Sequence, residues 1–217
     1  MMKKEPLKYQ AYQYIKDKIV NCDYAPDSII NEELIRDELG ASRTPIRDAL
    51  SRLEQEGLIR ILPKKGIVIS SLSTKELNML YESRFLLEPY AVLHYGNRIS
   101  PDVYMDYYHR YVHFLEGRTS KYSYSEMDEN FHQMFITASD NSYFINLYSA
   151  IESQIRRTRI LSGGASETRL MDTVQEHLDI VKPAIKNDWE DAALAMQHHL
   201  SQSKSVMFDL ILKKDFL

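Results

Sequence analysis

The chain has seven histidines, and three of them stand where a metal ion would use them. In DENFHQMF, Asp128 and His132 are four apart, so on a helix the carboxylate and the imidazole leave one face and can grip one ion. His177 falls on the stripe Val174–His177–Val181, and His199 on Ala192–Ala195–Met196–His199–Val206, which turns both rings toward a helical interior. Three inward stripes that each carry a histidine, one with an aspartate beside it, form a donor set for a divalent cation. His94, His109 and His113 lack a carboxylate at matching spacing, and His198 is rotated about 100° from His199 on its helix.

Several arginines also sit at positions with chemical meaning. Arg84 lies on Leu77–Leu80–Arg84–Leu87–Ala91, an inward stripe where a lone guanidinium is costly, so it needs a carboxylate from the protein or from a ligand. Arg43 and Arg47 are four apart at the start of an amphipathic segment, joined by Thr44 and preceded by Ser42. A guanidinium fork at a helix N-terminus can bond guanine O6 and N7 together, a contact worth about 1–3 kcal/mol of base discrimination. Lys64, Lys65 and Gly66 make a basic, tightly turning loop suited to phosphate or the minor groove. Asp48 and Arg52 are expected to form a helix salt bridge; Arg156, Arg157 and Arg159 are expected first as a solvated face, the alternative being that they reach the same cavity as Arg84.

The elements that must position these residues can be read from periodicity. Ala11, Ile15 and Ile19 mark a first helix, and Asn31 before Glu32 and Glu33 caps a short second one that Gly40 stops. Thr44-Pro45 opens a third helix with Ile46, Ala49, Leu50 and Leu53 inward, and Gly57 closes it. Ile59–Leu62 and Ile67–Ile69 then flank Pro63-Lys64-Lys65-Gly66 as a β-hairpin. Three helices and a hairpin make a winged helix-turn-helix over residues 1–72. After the linker Ser70–Ser73 the pattern is helical to the end. Breaks fall near Ser100-Pro101, Gly117–Ser120, Asp140-Asn141, Gly163-Gly164 and Asn187-Asp188, with Asn141 as an N-cap. The expected fold is therefore mainly α: the winged head joined to an antiparallel six-helix, all-α bundle over 73–217. Pro183, inside the His177 helix, predicts a kink.

The stretch LGASRTPIRDALSRLEQEGLIRILPKKGIVI resembles the winged helix-turn-helix signature of the GntR family of bacterial transcriptional regulators, over about residues 10–70. That resemblance implies that Arg43, Thr44 and Arg47 read bases or phosphates, with Gly66 at the wing tip. Arg36 departs from the usual small residue and is either a phosphate contact or a solvated charge. Residues 75–210 resemble the FCD-type ligand-binding domain of the FadR-like branch. There an Asp-x-x-x-His pair, a Glu-His and a His-Leu build a metal site, matched here by Asp128 and His132, Glu176-His177 and His199-Leu200. The resemblance further implies that Arg84, in its Arg-x-x-Leu-Glu context, helps to bind the carboxylate of a small organic acid that completes the metal's coordination. Zinc is the first expectation for the ion, with nickel and manganese as alternatives.

Bulk properties narrow the function classes. Net charge is −4, yet residues 1–72 carry 12 basic against 11 acidic side chains and the remainder 15 against 20, so a polyanion-binding surface belongs to the head. The single cysteine excludes an internal disulfide, and no leader or long apolar run is present, so the expectation is a cytoplasmic chain without a membrane role. The reading is a regulator, not an enzyme, that binds a palindromic operator as a homodimer. Two alternatives stay open: the ion only braces the helices, or the histidines and carboxylate serve a metal-dependent enzyme.

Overall fold

The computed structural model describes residues 6–118, 121–163 and 166–213, and the chain divides into two compact units, Met1–Leu72 and Ser73–Leu217. In the first unit, α1 (Leu7–Val20) buries Ala11, Tyr12, Ile15 and Ile19. α2 (Glu32–Leu39) begins where the Asn31 side chain accepts from Leu34 N–H at 2.6 Å and ends at Gly40, whose φ of 59° is left-handed. α3 (Arg43–Gln55) turns Ile46, Ala49, Leu50 and Leu53 inward. It starts two residues earlier than Thr44-Pro45 suggested, with Ser42 in the N-cap position. These helices share one apolar core with Ile59, Ile67 and Ile69, each large side chain contributing about 1.5–3 kcal/mol by leaving water.

The hairpin forms as β2 (Ile59–Leu62) and β3 (Gly66–Ile69), with Arg60 opposite Val68 and Leu62 opposite Gly66. A third strand, β1 (Ile29–Ile30), pairs antiparallel with β3 and gives the order β1-β3-β2. Two residues are too few to carry an alternating pattern, so periodicity does not announce β1. Its presence alters the reason for glycine at position 66. A Cβ there would meet Ile30 O at 2.9 Å, and φ is 113°, so close backbone approach demands glycine while Lys64, at φ 65°, takes the tight turn.

The second unit contains six α-helices among the described residues: α4 (Thr74–Tyr95), α5 (Pro101–Leu115), α6 (Lys121–Thr137), α7 (Ser142–Gly163), α8 (Glu167–Ile185) and α9 (Trp189–Lys213), with a short 3-10 turn, Gly96–Arg98, between the first two. Ser73 and Glu76 form a reciprocal capping box at the start of α4, so the expected linker ends inside a helix cap. Asn141 accepts from the Tyr143 and Phe144 N–H groups and caps α7. The breaks proposed at Ser120 and Gly164 lie outside the described residues. α4 and α8 pack on α9, α5 on α8, and α6 on α4 and α7, around an aromatic core that includes Tyr104, Tyr111, Phe131, Phe135 and Tyr148. Pro183 lies in the last turn of α8, six residues beyond His177, and the helix runs through it to Ile185.

Candidate metal centre and DNA-reading surface

His132 on α6, His177 on α8 and His199 on α9 meet inside the second unit. One ring nitrogen from each lies within 4.8 Å of the others, and all three residues are buried. His132 Nε2 and His177 Nε2 are 3.2 Å apart. Two imidazoles on one ion at the usual bond length stand about 3.0–3.4 Å apart, so the spacing fits a shared cation. Asp128 Oδ1 is 3.5 Å from His177 Nε2.

The opposite nitrogen of each ring is engaged. His132 Nδ1 is 2.6 Å from Glu88 Oε2, His199 Nδ1 is 2.8 Å from Glu176 Oε2, and His177 Nδ1 is 3.1 Å from the Tyr124 hydroxyl. A carboxylate accepts only, so Nδ1 of His132 and of His199 must carry the proton, which leaves both Nε2 lone pairs bare toward the centre. Burial pushes all three histidines below their ordinary value, with further lowering from Arg159 at His132 and from neighbouring imidazoles at His177 and His199. The neutral ring that results is the ligand form. The three histidines fit a divalent ion and would hold it, with the Asp128 carboxylate, which also pairs with Arg159, beside them; the ion would supply a fixed positive charge with Lewis-acid sites.

The carboxylates around the histidines are matched by arginines. Burial opposes charge on Asp128, but Arg159 and the imidazoles outweigh it and hold the carboxyl well below the usual range; Arg159 Nε is 2.8 Å from Asp128 Oδ2. Glu88 is held low by Arg84 and His132 against the same burial. Arg84 Nε donates to Glu88 Oε1 at 2.7 Å and Nη2 to Oε2 at 3.3 Å, and Tyr148 O–H reaches Oε1 at 3.3 Å. The partner that Arg84 required is therefore a protein side chain, while its buried Nη1 has no hydrogen-bond partner among the described residues. Arg169 binds both oxygens of Glu176, at 2.5 and 3.1 Å. With each acid balanced, a dication adds uncompensated charge that an anionic ligand would offset.

In the first unit, Ser42 at the N-cap, Arg43 and Thr44 in the first turn of α3 and Arg47 in the second are exposed, as are Lys64 and Lys65 at the hairpin tip. Arg36, Arg43 and Arg47 line one depression of about 260 Å³ together with Glu32 and Glu33. Arg36 lies 3.8 Å from both Glu33 and Asp37. Arg47 Nε donates to Glu32 Oε2 at 3.1 Å. A groove of about 470 Å³ runs between α3 and the hairpin, lined by Glu32, Arg47, Leu50, Leu62, Lys64 and Gly66 among others.

Comparison with known proteins follows this division. Residues 7–69 match the model for bacterial regulatory proteins of the gntR family, and residues 79–202 match the FCD domain. The chain belongs to the GntR family of bacterial transcriptional regulators, in the branch with an FCD domain. It is 27% identical to the HTH-type transcriptional regulator YdhC of Bacillus subtilis over 202 residues, 92% of this chain and 88% of that one. It is 30% identical to the Nta operon transcriptional regulator of Aminobacter aminovorans over 186 residues, 82% and 84% of the two chains. Among solved structures, E. coli McbR/YncC superposes with a TM-score of 0.78 at 14% identity, covering 96% of this chain and all of that one, which shows a common fold.

Two features of this GntR-family chain differ from expectation. Arg156, Arg157 and Arg159 do not form a solvated face: Arg157 is fully buried, Arg159 pairs with Asp128, and Arg156 lies 3.6 Å from Glu129. Helix α7 is covered on more sides than its polar residues suggest. Arg52 pairs with Glu56 at 3.2 Å and not with Asp48, because its guanidinium stacks 3.9 Å from the Tyr12 ring, beside Glu56. The residues not foreseen at the candidate metal centre are Glu88, Tyr124, Tyr148 and Arg169, whereas Arg159 follows the alternative reading and reaches it through Asp128. Of these, Glu88 had a local signal, since it lies four residues after Arg84 on the same helix.

Proposed function

We propose that this regulator binds a palindromic operator as a homodimer and senses a small organic acid through a divalent metal ion held by Asp128, His132, His177 and His199. The observation that carries the sensing half is the convergence of three buried ring nitrogens, two forced to be bare by carboxylates on the far side of each ring. Arg84 Nη1, buried and without a hydrogen-bond partner among the described residues, supplies a donor for a ligand carboxylate. Zinc, nickel and manganese all accept this donor set, and an octahedral ion would keep positions for ligand or water.

For the reading half, Ser42, Arg43, Thr44, Arg47, Arg36, Lys64 and Lys65 are the contacts, with base edges assigned to the arginines of α3 and phosphates to the hairpin tip. Gly66 acts through its backbone. A homodimer matches a two-fold operator. It is supported by an apolar face on α4, where Met79, Leu86, Tyr90 and Leu93 are exposed, continued on α7 by Tyr143 and Leu147. The Tyr90 and Phe144 rings, 6.1 Å apart, connect the two helices. An effector changes operator affinity only by the difference in its affinity for the free and DNA-bound forms.

The test is metal analysis of the purified protein, then calorimetric titration of chelator-stripped and reloaded protein with small mono- and dicarboxylates, with operator binding measured at each step. About one ion per chain and carboxylate binding only in the reloaded protein are expected. Lower thermal stability after chelation, with no carboxylate binding in either state, would instead identify a structural brace.

A further inference from the structure

We infer that Glu32 is a positioning residue for base reading: it holds the Nε edge of Arg47 so that the guanidinium meets DNA through its terminal nitrogens. The inference rests on the assignment of Arg47 as a base reader. Glu32 is the first residue of α2 and Arg47 lies in the second turn of α3, so the contact spans the turn between the two helices. Arg47 Nε donates to Glu32 Oε2 at 3.1 Å. The Arg47 side chain stays 66% exposed while that of Glu32 is 30% exposed, and Glu32 Oε1 is buried without a hydrogen-bond partner among the described residues. The half-buried acid is thus the fixed member and the arginine the outward one.

An ion pair this exposed contributes little to folding, so its consequence lies in how the arginine is presented. A guanidinium can make two parallel bonds either side-on, through Nε and one Nη, or end-on, through both Nη groups. With Nε taken by Glu32, the side-on edge is closed and the end-on fork remains, the geometry that spans guanine O6 and N7. A carboxylate beside the fork also repels phosphate oxygens, which disfavours Arg47 as a backbone contact on any sequence. One group therefore promotes the base contact and penalises the indiscriminate one, the combination that separates specificity from affinity. Both residues line the groove between α3 and the hairpin, together with Leu50, Leu62 and Lys64.

The experiment uses the full chain and a duplex recovered by selection from a random-sequence pool with the unaltered protein. A scrambled duplex of equal composition serves as reference, and both are titrated over a range of salt concentrations. Glu32→Ala should lower the ratio of selected to scrambled affinity roughly tenfold while raising affinity for the scrambled duplex. Glu32→Gln keeps an acceptor for Nε without the charge, so it should raise scrambled-duplex binding and retain most of the ratio. Arg47→Ala should lower the ratio, and adding Glu32→Ala to it should lower the ratio no further. Circular dichroism melts verify that each variant is folded. An unchanged ratio in Glu32→Ala, where Arg47→Ala does reduce it, overturns the inference. So does an equal loss from Glu32→Ala in the Arg47→Ala background. An unchanged ratio in Arg47→Ala removes the base-reading assignment itself.

Discussion

His132 Nδ1 and Glu88 Oε2 are 2.6 Å apart, both side chains buried, and the same carboxylate accepts two bonds from Arg84. One acid therefore serves two basic groups, fixing the tautomer of a proposed metal ligand and compensating a buried guanidinium. Glu88→Gln removes the charge but nearly preserves the volume. Breaking a buried pair by removing one partner costs about 3–5 kcal/mol, because the other charge is left alone. Loss of an outer partner of a ligating histidine lowers metal affinity about 10- to 100-fold. Urea denaturation of the metal-free protein measures the first effect, and competition with a chromophoric chelator the second.

His199→Ala separates the ion from the fold. The ring belongs to α9 and meets His132 of α6 and His177 of α8, with ring centroids 5.1 and 4.5 Å away. An ion held by these residues would tie together three helices that also pack through apolar contacts. Thermal melts of the unaltered protein should shift upward on metal addition, and those of His199→Ala should shift far less. Metal content after dialysis should fall from about one ion per chain to a small fraction of it.

The residues that converge on the centre were legible where they lay on stripes. Asp128, His132, His177 and His199 each fall on an inward helical face, and six helices after residue 73 followed from caps and breaks. What was not legible depends on which helix lies beside which. Tyr124 meets His177 across 53 residues, Glu88 meets His132 across 44, and nothing local to either member specifies the other. Arg159 looked solvated because its neighbours are polar, yet α7 turns it onto Asp128. In the head, β1 escaped for the opposite reason: a two-residue strand acquires its identity from the partner strand, not from its own pattern.

Gly66→Ala should destabilise the head by about 1–3 kcal/mol. The backbone φ of 113° is unfavourable for an L-residue, and the new Cβ would lie 2.9 Å from Ile30 O. Gly57 offers the control. Its φ is 72° with nothing within 4 Å of a Cβ, so Gly57→Asn, which tolerates that region, should cost less than about 1 kcal/mol. Denaturation monitored by circular dichroism distinguishes the two variants.

Glu56 makes part of the head's stability dependent on pH. Burial opposes its charge, but hydrogen bonds from Tyr12 and Lys16 and the Lys16 charge outweigh it, so its carboxyl sits below the ordinary 4.5. A depressed folded-state value means that the unfolded chain binds the proton first. The contribution is therefore complete above the ordinary value and is lost as pH falls through it toward the folded value. For a partly exposed group it amounts to less than about 1 kcal/mol. Glu56→Gln should be less stable than the unaltered protein at pH 7, and the difference should shrink as pH falls below 4.5 and vanish once it has passed below the depressed folded-state value. A gap that persists there would assign the effect to packing.

Leu86→Glu tests the apolar face of α4. Leu86 is 69% exposed, on one side of the helix with Met79, Tyr90 and Leu93, and Leu147 of α7 is 61% exposed. If a second copy covers this face, the substitution places a charge opposite apolar surface and its own symmetry mate, and each dimer receives the change twice. Sedimentation equilibrium should then show dissociation at least 100-fold easier than for the unaltered protein, with unchanged helix content. Affinity for a duplex holding two inverted half-sites should fall, while affinity for a single half-site should not. A variant that remains dimeric places the interface elsewhere on the bundle.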